Sequence, residues 1–364
     1  MAHRKSNSDA ALIAGWFFPS IELIGGVATG AIIFVGGSLV LNEQLSVFTL
    51  LTFILYIDEF FFPIRMLAQR YNQFQAVMAA GTKIFTLLDT PIDIKDDPDA
   101  VELPTIQGHV KFTNVYFRYN QEEENFILKN INLEVPAGQT VAFVGHTGAG
   151  KSSIVKLISR FYDLTDGSLT IDGYEVNKVT QNSLRRQMGI VLQETHLFSG
   201  DVMENIRYGR LNATDEEVIE AAKAVGAHDF IMELPDGYAT VVGERGVKLS
   251  GGQRQRVAIA RTLALQPDLL LMDEPFNSLD ATTRERLQDT ILALRRELNM
   301  TTVIVTHALD EAAVLGSKIL CLGDPPNCTP VIIENPAAEK PDYRTRPAYL
   351  DMRNELRQRM GLDA

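Results

Sequence analysis

From Ala10 to Leu41 the only formally charged position is Glu22, and from Leu45 to Leu67 the apolar run is broken only by Asp58, Glu59 and Arg65. Both stretches reach the ~20 residues that carry a helix across a bilayer. An acid at mid-membrane costs roughly 2.5–3.5 kcal/mol, whereas about fifteen Leu, Ile, Val and Phe side chains at about −0.3 to −0.6 each contribute roughly −4.5 to −9 kcal/mol. Glu22 therefore does not veto the first span, and the pattern predicts two membrane helices, over about 11–41 and 46–68, joined by a turn at 42–46. Arg4 and Lys5 precede the first helix, while Arg65, Arg70 and Lys83 lie at or beyond the end of the second. That charge bias places both ends in the cytoplasm and the turn outside. Buried helices of a soluble protein rarely stay apolar on every face, and a cleavable leader has a much shorter apolar stretch.

The pattern changes after Leu88. The segment "DTPIDIKDDPDAVELP" (89–104) is acidic and interrupted by proline, which reads as a linker reaching about residue 108. Short β-type runs follow in "HVKFTNVYFRY" and "INLEVPAGQTVAFVG", and then strand and helix signals alternate to about Leu322. This order predicts an α/β domain over 109–325 with a mainly parallel sheet, preceded by antiparallel strands. A C-terminal extension, 326–364, opens with the turn-rich "GDPPNCTP" (323–330) around the boundary and ends in a helix within "YLDMRNELRQRMG". There is no internal repeat. With 364 residues, 46% of them hydrophobic, the chain is long enough for two or more domains. A net charge of −12 argues against a nucleic-acid surface. Cys321 and Cys328 could form a disulfide or part of a metal site, but two thiols without neighbouring histidines read more simply as free thiols.

Three motifs carry chemistry. In "VAFVGHTGAGKSS" (141–153) an apolar strand feeds G-x-x-x-x-G-K-S and then a helix. Gly145, Gly148 and Gly150 let the backbone fold tightly, so that successive N–H groups and the helix N-terminus face an anion. Lys151 would reach the β- and γ-phosphates of a nucleotide, and the Ser152 hydroxyl would bind Mg²⁺. The second motif, "LLLMDEPFNSLD" (269–280), is a buried strand followed by two carboxylates. Asp273 would hold the metal, and Glu274, just past the strand end, would orient and deprotonate an attacking water. An Asp-Glu pair after a strand is often only a solvated turn, a reading that Lys151 upstream makes the weaker one. The third, "LSGGQRQRVAIARTL" (249–263), has Ser250 as an N-cap and Gln253 at capping-box spacing, ahead of a helix whose N-terminus is bare glycine backbone. It is a second anion site. Two phosphate-binding elements for one nucleotide make sense if they face each other across a dimer.

With these motifs in this order the chain resembles the ATP-binding-cassette (ABC) transporter superfamily. The resemblance implies a P-loop cassette with a parallel core sheet, an antiparallel β subdomain and a helical subdomain. It further implies that Gly145, His146, Thr147, Gly148, Ala149, Gly150, Lys151, Ser152 and Ser153 wrap the phosphates of ATP and that Tyr119 stacks on adenine. Gln193 matches the switch glutamine that touches Mg²⁺ and senses the membrane domain, giving Ser152, Gln193 and Asp273 as the metal set. Asp280 matches the loop linking the two sites, and His307 the histidine that contacts the γ-phosphate. Ser250, Gly251, Gly252 and Gln253 would complete the site of the opposite subunit. The implied catalytic residues are Glu274, His307 and Gln193.

The resemblance has two flavours. "LFSGDVMENIRYG", "VGERGVKLSGGQ" and the stretches 34–50 and 71–89 look like exporters that carry membrane helices and cassette in one chain. From about Leu265 onward, "MDEPFNSLDATTRERLQ" and "VTHALDEAAVLGSKILCL" look like the separate ATPase subunits of nitrate, sulfonate and taurine importers. An exporter half also has six membrane helices, against two here, which implies a fragment or a hybrid. The expectation is thus an exporter-type ATPase in the plasma (inner) membrane, multi-pass, with a cytoplasmic cassette that pairs with a second cassette. The alternatives are an importer ATPase subunit, or a fragment without transport activity.

Overall fold

The computed structural model describes residues 2–120, 125–242, 249–323, 330–340 and 342–361. The chain divides into two compact units, Met1–Ile92 and Asp93–Ala364.

The first unit is a helical hairpin of α1 (Ala2–Leu41) and α2 (Val47–Leu88). Ser46 caps α2, its hydroxyl accepting from the Thr49 amide at 3.1 Å. The helices approach closely at Gly36, where a Cβ would collide with Leu50. Two segments, Pro19–Leu41 and Val47–Ile64, are long and apolar enough to cross a membrane, with mean hydropathies of 2.0 and 1.8. Their side chains face outward: Phe34 and Phe48 are each 81% exposed. Both helices outrun the apolar pattern, because hydropathy marks where a bilayer can sit, whereas helix propensity marks where the helix stops. The stretch 69–88 has no proline and many good helix formers, so α2 continues until Asp89, two residues before Pro91.

In the second unit the strands β1 (Val110–Phe117) and β2 (Leu128–Val135) come first. Next are β3 (Thr140–Gly145), α3 (Lys151–Ile158), β4 (Asp166–Ile171), β5 (Tyr174–Glu175), α4 (Gln181–Arg185) and β6 (Met188–Val191). A helical section holds α5 (Val202–Arg207), α6 (Asp215–Ala224), α7 (His228–Met232) and α8 (Gly251–Ala264). The chain returns through β7 (Leu269–Asp273), α9 (Ala281–Leu298), β8 (Thr301–Val305), α10 (Leu309–Leu315), β9 (Lys318–Leu322), β10 (Val331–Glu334) and α11 (Pro347–Arg359).

Two sheets result. One is antiparallel, in the order β2-β1-β4-β5, and the other runs β10-β9-β3-β8-β7-β6. In the larger sheet every pair is parallel except β9 with β10. All six residues of β3 are buried, as expected of a parallel strand covered on both faces. Val141 and Phe143 face the core that includes Ile154 and Leu157 of α3, while Ala142 and Val144 face Ala312 and Ala313 of α10. A second core joins Val218, Ile231 and Val257 of the helical section to Leu270, Met272 and Ile304 of the sheet.

The segment expected to link the units divides. From Asp93 onward it belongs to the second unit, because Leu103 and Ile106 are buried there. The Leu103 amide donates to Ser183 at 2.9 Å, and the Ile106 amide to Gln187 at 2.8 Å. The C-terminal extension is likewise built into the fold. β10 completes the sheet, and α11 packs on α10 with Leu356 fully buried. Cys321 is buried in β9, and burial pushes its thiol up to about 11, consistent with an inert side chain. Cys328 lies outside the described residues.

Candidate active site

The site forms where strand ends meet loops, at the C-terminal edge of the parallel sheet. After β3 the chain turns through Gly148 (φ +86°) and Gly150 (φ +90°), left-handed conformations that glycine adopts without strain. A Cβ at Gly150 would lie 2.8 Å from the Ile127 side chain, while Gly148 opens onto free space. Ala149 is buried under the loop. The N-terminus of α3 thus points into a cavity of about 720 Å³. Its walls include Gly145, His146, Thr147, Gly148, Gly150, Lys151, Ser152, Ser153, Tyr119, Gln193, Glu274 and His307.

Lys151 is only 6% exposed. Its ammonium donates to the carbonyls of Gly145 (2.8 Å) and His146 (2.9 Å). Burial lowers its pKa, and the carboxylates of Glu274 and Asp273 oppose that shift. Asp273 ends β7 and is 8% exposed. Burial raises its carboxyl pKa, against the Ser152 hydrogen bond that lowers it. Its Oδ1 is buried with no hydrogen-bond partner among the described residues.

Glu274 follows with φ +50°, a conformation rare for residues other than glycine, and its amide donates to the Val305 carbonyl at 2.8 Å. Its carboxylate is held from three sides. Gln193 Nε2 donates at 3.1 Å, Asn277 Nδ2 also donates, and His307 Nδ1 lies 3.4 Å from Oε1. Tyr119 shares a 2.9 Å hydrogen bond with Ser153, and its ring packs edge-on against Phe117 and Tyr162. The Lys156 ammonium stands 5.1 Å from the Tyr119 ring centroid.

The third motif lies elsewhere on the unit. Ser250, Gly251, Gly252, Gln253 and Asp280 do not line this cavity. Ser250 and Gln253 form the expected capping box, with bonds of 3.2 and 2.9 Å. A Cβ at Gly252 would sit 3.1 Å from Leu279, so the start of α8 abuts the loop that ends at Asp280. Asp280 caps α9, accepting from the Thr283 amide at 3.0 Å. Sequence reasoning missed Asn277, Tyr162, Leu309 and Met360. Asn277, three residues after Glu274 in the same polar turn, offered the only local signal.

Residues 128–277 match the family model described as ABC transporter. The ABC transporter ATP-binding protein YknV of Bacillus subtilis (strain 168), itself uncharacterized, is 41% identical over 293 residues, covering 80% of this chain and 48% of YknV. An ATP-dependent lipid A-core flippase of Syntrophus aciditrophicus (strain SB) is 42% identical over 291 residues, covering 80% of this chain and 48% of the flippase. The putative multidrug export ATP-binding/permease protein YgaD of Bacillus subtilis (strain 168) is 44% identical over 292 residues, covering 80% and 50%. The chain therefore spans about half the length of these relatives. Among solved structures, a bacterial Atm1-family ABC exporter with ATP bound superimposes with a TM-score of 0.65 at 36% identity, covering 97% of this chain and 59% of that one. Coverage that wide takes in most of the stretch after Leu265 whose sequence looks importer-like.

Proposed function

We propose that this chain is part of an ABC transporter of the exporter type, and that it binds and hydrolyses Mg-ATP at composite dimer sites to drive export across the plasma (inner) membrane. One observation carries this reading: an anion cradle with a buried lysine shares one cavity with Glu274, and the buried Asp273 stands just behind it, bonded to Ser152 of the cavity wall. In this reading Tyr119 stacks on the adenine, and the backbone from Gly145 to Ser153 surrounds the phosphates. Lys151 leaves its two loop carbonyls for the β- and γ-phosphates. Glu274 accepts the proton of the attacking water, with Gln193 and Asn277 fixing its carboxylate and His307 reaching the γ-phosphate.

The residues fit Mg²⁺. A buried acceptor without a donor, such as Asp273 Oδ1, is costly unless a cation or proton meets it, and the Ser152 hydroxyl is already in contact with Asp273. Bound there by Ser152, Asp273 and Gln193, Mg²⁺ would neutralise charge on the terminal phosphates.

Ser250, Gly251, Gly252, Gln253 and Asp280 stand outside the cavity of their own chain, so they are free to act on the nucleotide of a second cassette, from the same or another chain. The two apolar helices, with Arg65, Arg70 and Lys83 following, support a membrane anchor with the cassette on the cytoplasmic side. The test is Mg-ATP turnover by the full chain extracted in detergent. Specific activity should rise with protein concentration as dimers form, and the chain should resist extraction by high salt and alkali. Absence of turnover in cross-linked dimers would sink the hydrolytic reading, and release by alkali would sink the anchor. A further expectation concerns Tyr119→Ala: loss of stacking worth about 1–3 kcal/mol should weaken ATP affinity roughly five- to a hundredfold. Titration with a fluorescent ATP analogue reads this, and unchanged affinity would remove Tyr119 from the adenine site.

A further inference from the structure

Outside the cavity, one buried charge has no part in the chemistry described so far. Glu311, at the start of α10, is 4% exposed, and burial raises its carboxyl pKa. Buried carboxylates are expensive unless paired and hydrogen-bonded, so its partners matter. The fully buried Thr306 donates its hydroxyl to Glu311 Oε2 at 2.6 Å and accepts the Ala308 amide at 3.0 Å. These two bonds pin the residues on both sides of His307, whose own side chain remains 57% exposed toward the cavity. The other carboxylate oxygen forms an ion pair with Arg284 Nε at 3.6 Å, too long for a hydrogen bond. Arg284 Nη2 in turn donates to the Leu279 carbonyl at 3.0 Å, in the loop that ends at Asp280.

We propose that Glu311 is a positioning residue for hydrolysis, holding the His307 loop through Thr306 and tying it through Arg284 to the Leu279–Asp280 loop. The inference rests on the hydrolytic reading above. Under that reading, His307 serves the site of its own chain, and the loop at Asp280 faces the partner. The path Thr306–Glu311–Arg284, buried at its first two members, joins the two, so a shift at the partner's side reaches the histidine. Glu311 does not line the cavity; it reaches the site through Thr306 and Arg284 and through its charge, which His307 and Glu274 also feel.

The experiment uses the full chain with two near-isosteric changes, Glu311→Gln and Thr306→Val, and the conservative Thr306→Ser. Glu311→Gln keeps an acceptor for Thr306 but loses the charge that faces Arg284. Thr306→Val removes the hydroxyl and keeps the volume. Misplacing a catalytic group by about 1 Å can cost as much as a hundredfold, so kcat should fall about ten- to a hundredfold in both, with ATP affinity unchanged. Thr306→Ser should stay within about twofold of the parent, since it keeps the hydroxyl. The imidazole resonance of His307, followed by NMR on histidine-labelled protein, should move in Glu311→Gln and Thr306→Val but not in Thr306→Ser. Unchanged kcat in the first two would overturn the proposal. So would a joint fall of kcat, ATP affinity and melting temperature in all three, which marks a merely structural role. If the parent chain turns over no ATP, the hydrolytic reading fails, and the resonance still decides the tie: an unmoved His307 signal overturns it.

Discussion

Replacing Glu274 by Gln is expected to slow ATP hydrolysis at least about 100-fold, the scale of general-base assistance, while leaving ATP binding intact. The substitution keeps the size of the side chain and removes its basicity. Its backbone stays anchored by the amide bond to the Val305 carbonyl, so the change is confined to the carboxylate. Binding should survive because Lys151 and the glycine loop hold the phosphates from the other wall of the cavity. With hydrolysis blocked and ATP retained, the paired cassettes should accumulate as a dimer that elutes early in size exclusion when ATP is present. Single-turnover kinetics separate this outcome from a binding defect. Turnover close to that of the parent chain would remove Glu274 from the role of base.

Lys151→Ala should act one step earlier, on affinity. Truncating one partner of a desolvated charge pair costs about 2–5 kcal/mol, which is roughly thirtyfold or more in the dissociation constant for ATP. Two features of the site push toward the upper part of that range. The ammonium is buried, where a lost charge pair costs more than at an exposed site, and it is the donor shared by the Gly145 and His146 carbonyls that shape the loop. Lys151→Arg should not restore binding, because a planar guanidinium cannot occupy a cradle formed for a compact ammonium. Equilibrium titration with ATP checks both variants. An affinity for ATP equal to that of the parent would show that the loop amides alone hold the phosphates.

Much of the cassette was legible along the chain because its signals are local. The glycine spacing of 145–150, the Ser250–Gln253 capping box and the buried strand ending at Asp273 each depend on residues a few positions apart, and all three form as expected. The two apolar spans were legible for the same reason, since bilayer crossing depends on a contiguous window. The ends of α1 and α2 were not, because a helix outlasts its apolar window whenever propensity permits. The acidic segment after residue 93 misled the reading in another way. Its charges are conspicuous, yet Leu103 and Ile106 decide its place by burial.

By itself the sequence determined which chemistry was available: a phosphate cradle, a carboxylate pair, a capped glycine helix end, and two membrane-length helices. Tertiary structure decided which of those groups meet. Gln193 and Glu274 are 81 positions apart and touch because β6 and β7 are neighbours, while β8 delivers His307 to the same carboxylate. It also decided that Asp273 Oδ1 has no partner among the described residues, that Asn277 closes on Glu274, and that Thr306, Glu311 and Arg284 form a connected path. The reason is physical: desolvation and long-range pairing depend on what the fold packs around a group, and no window of neighbouring residues contains that information.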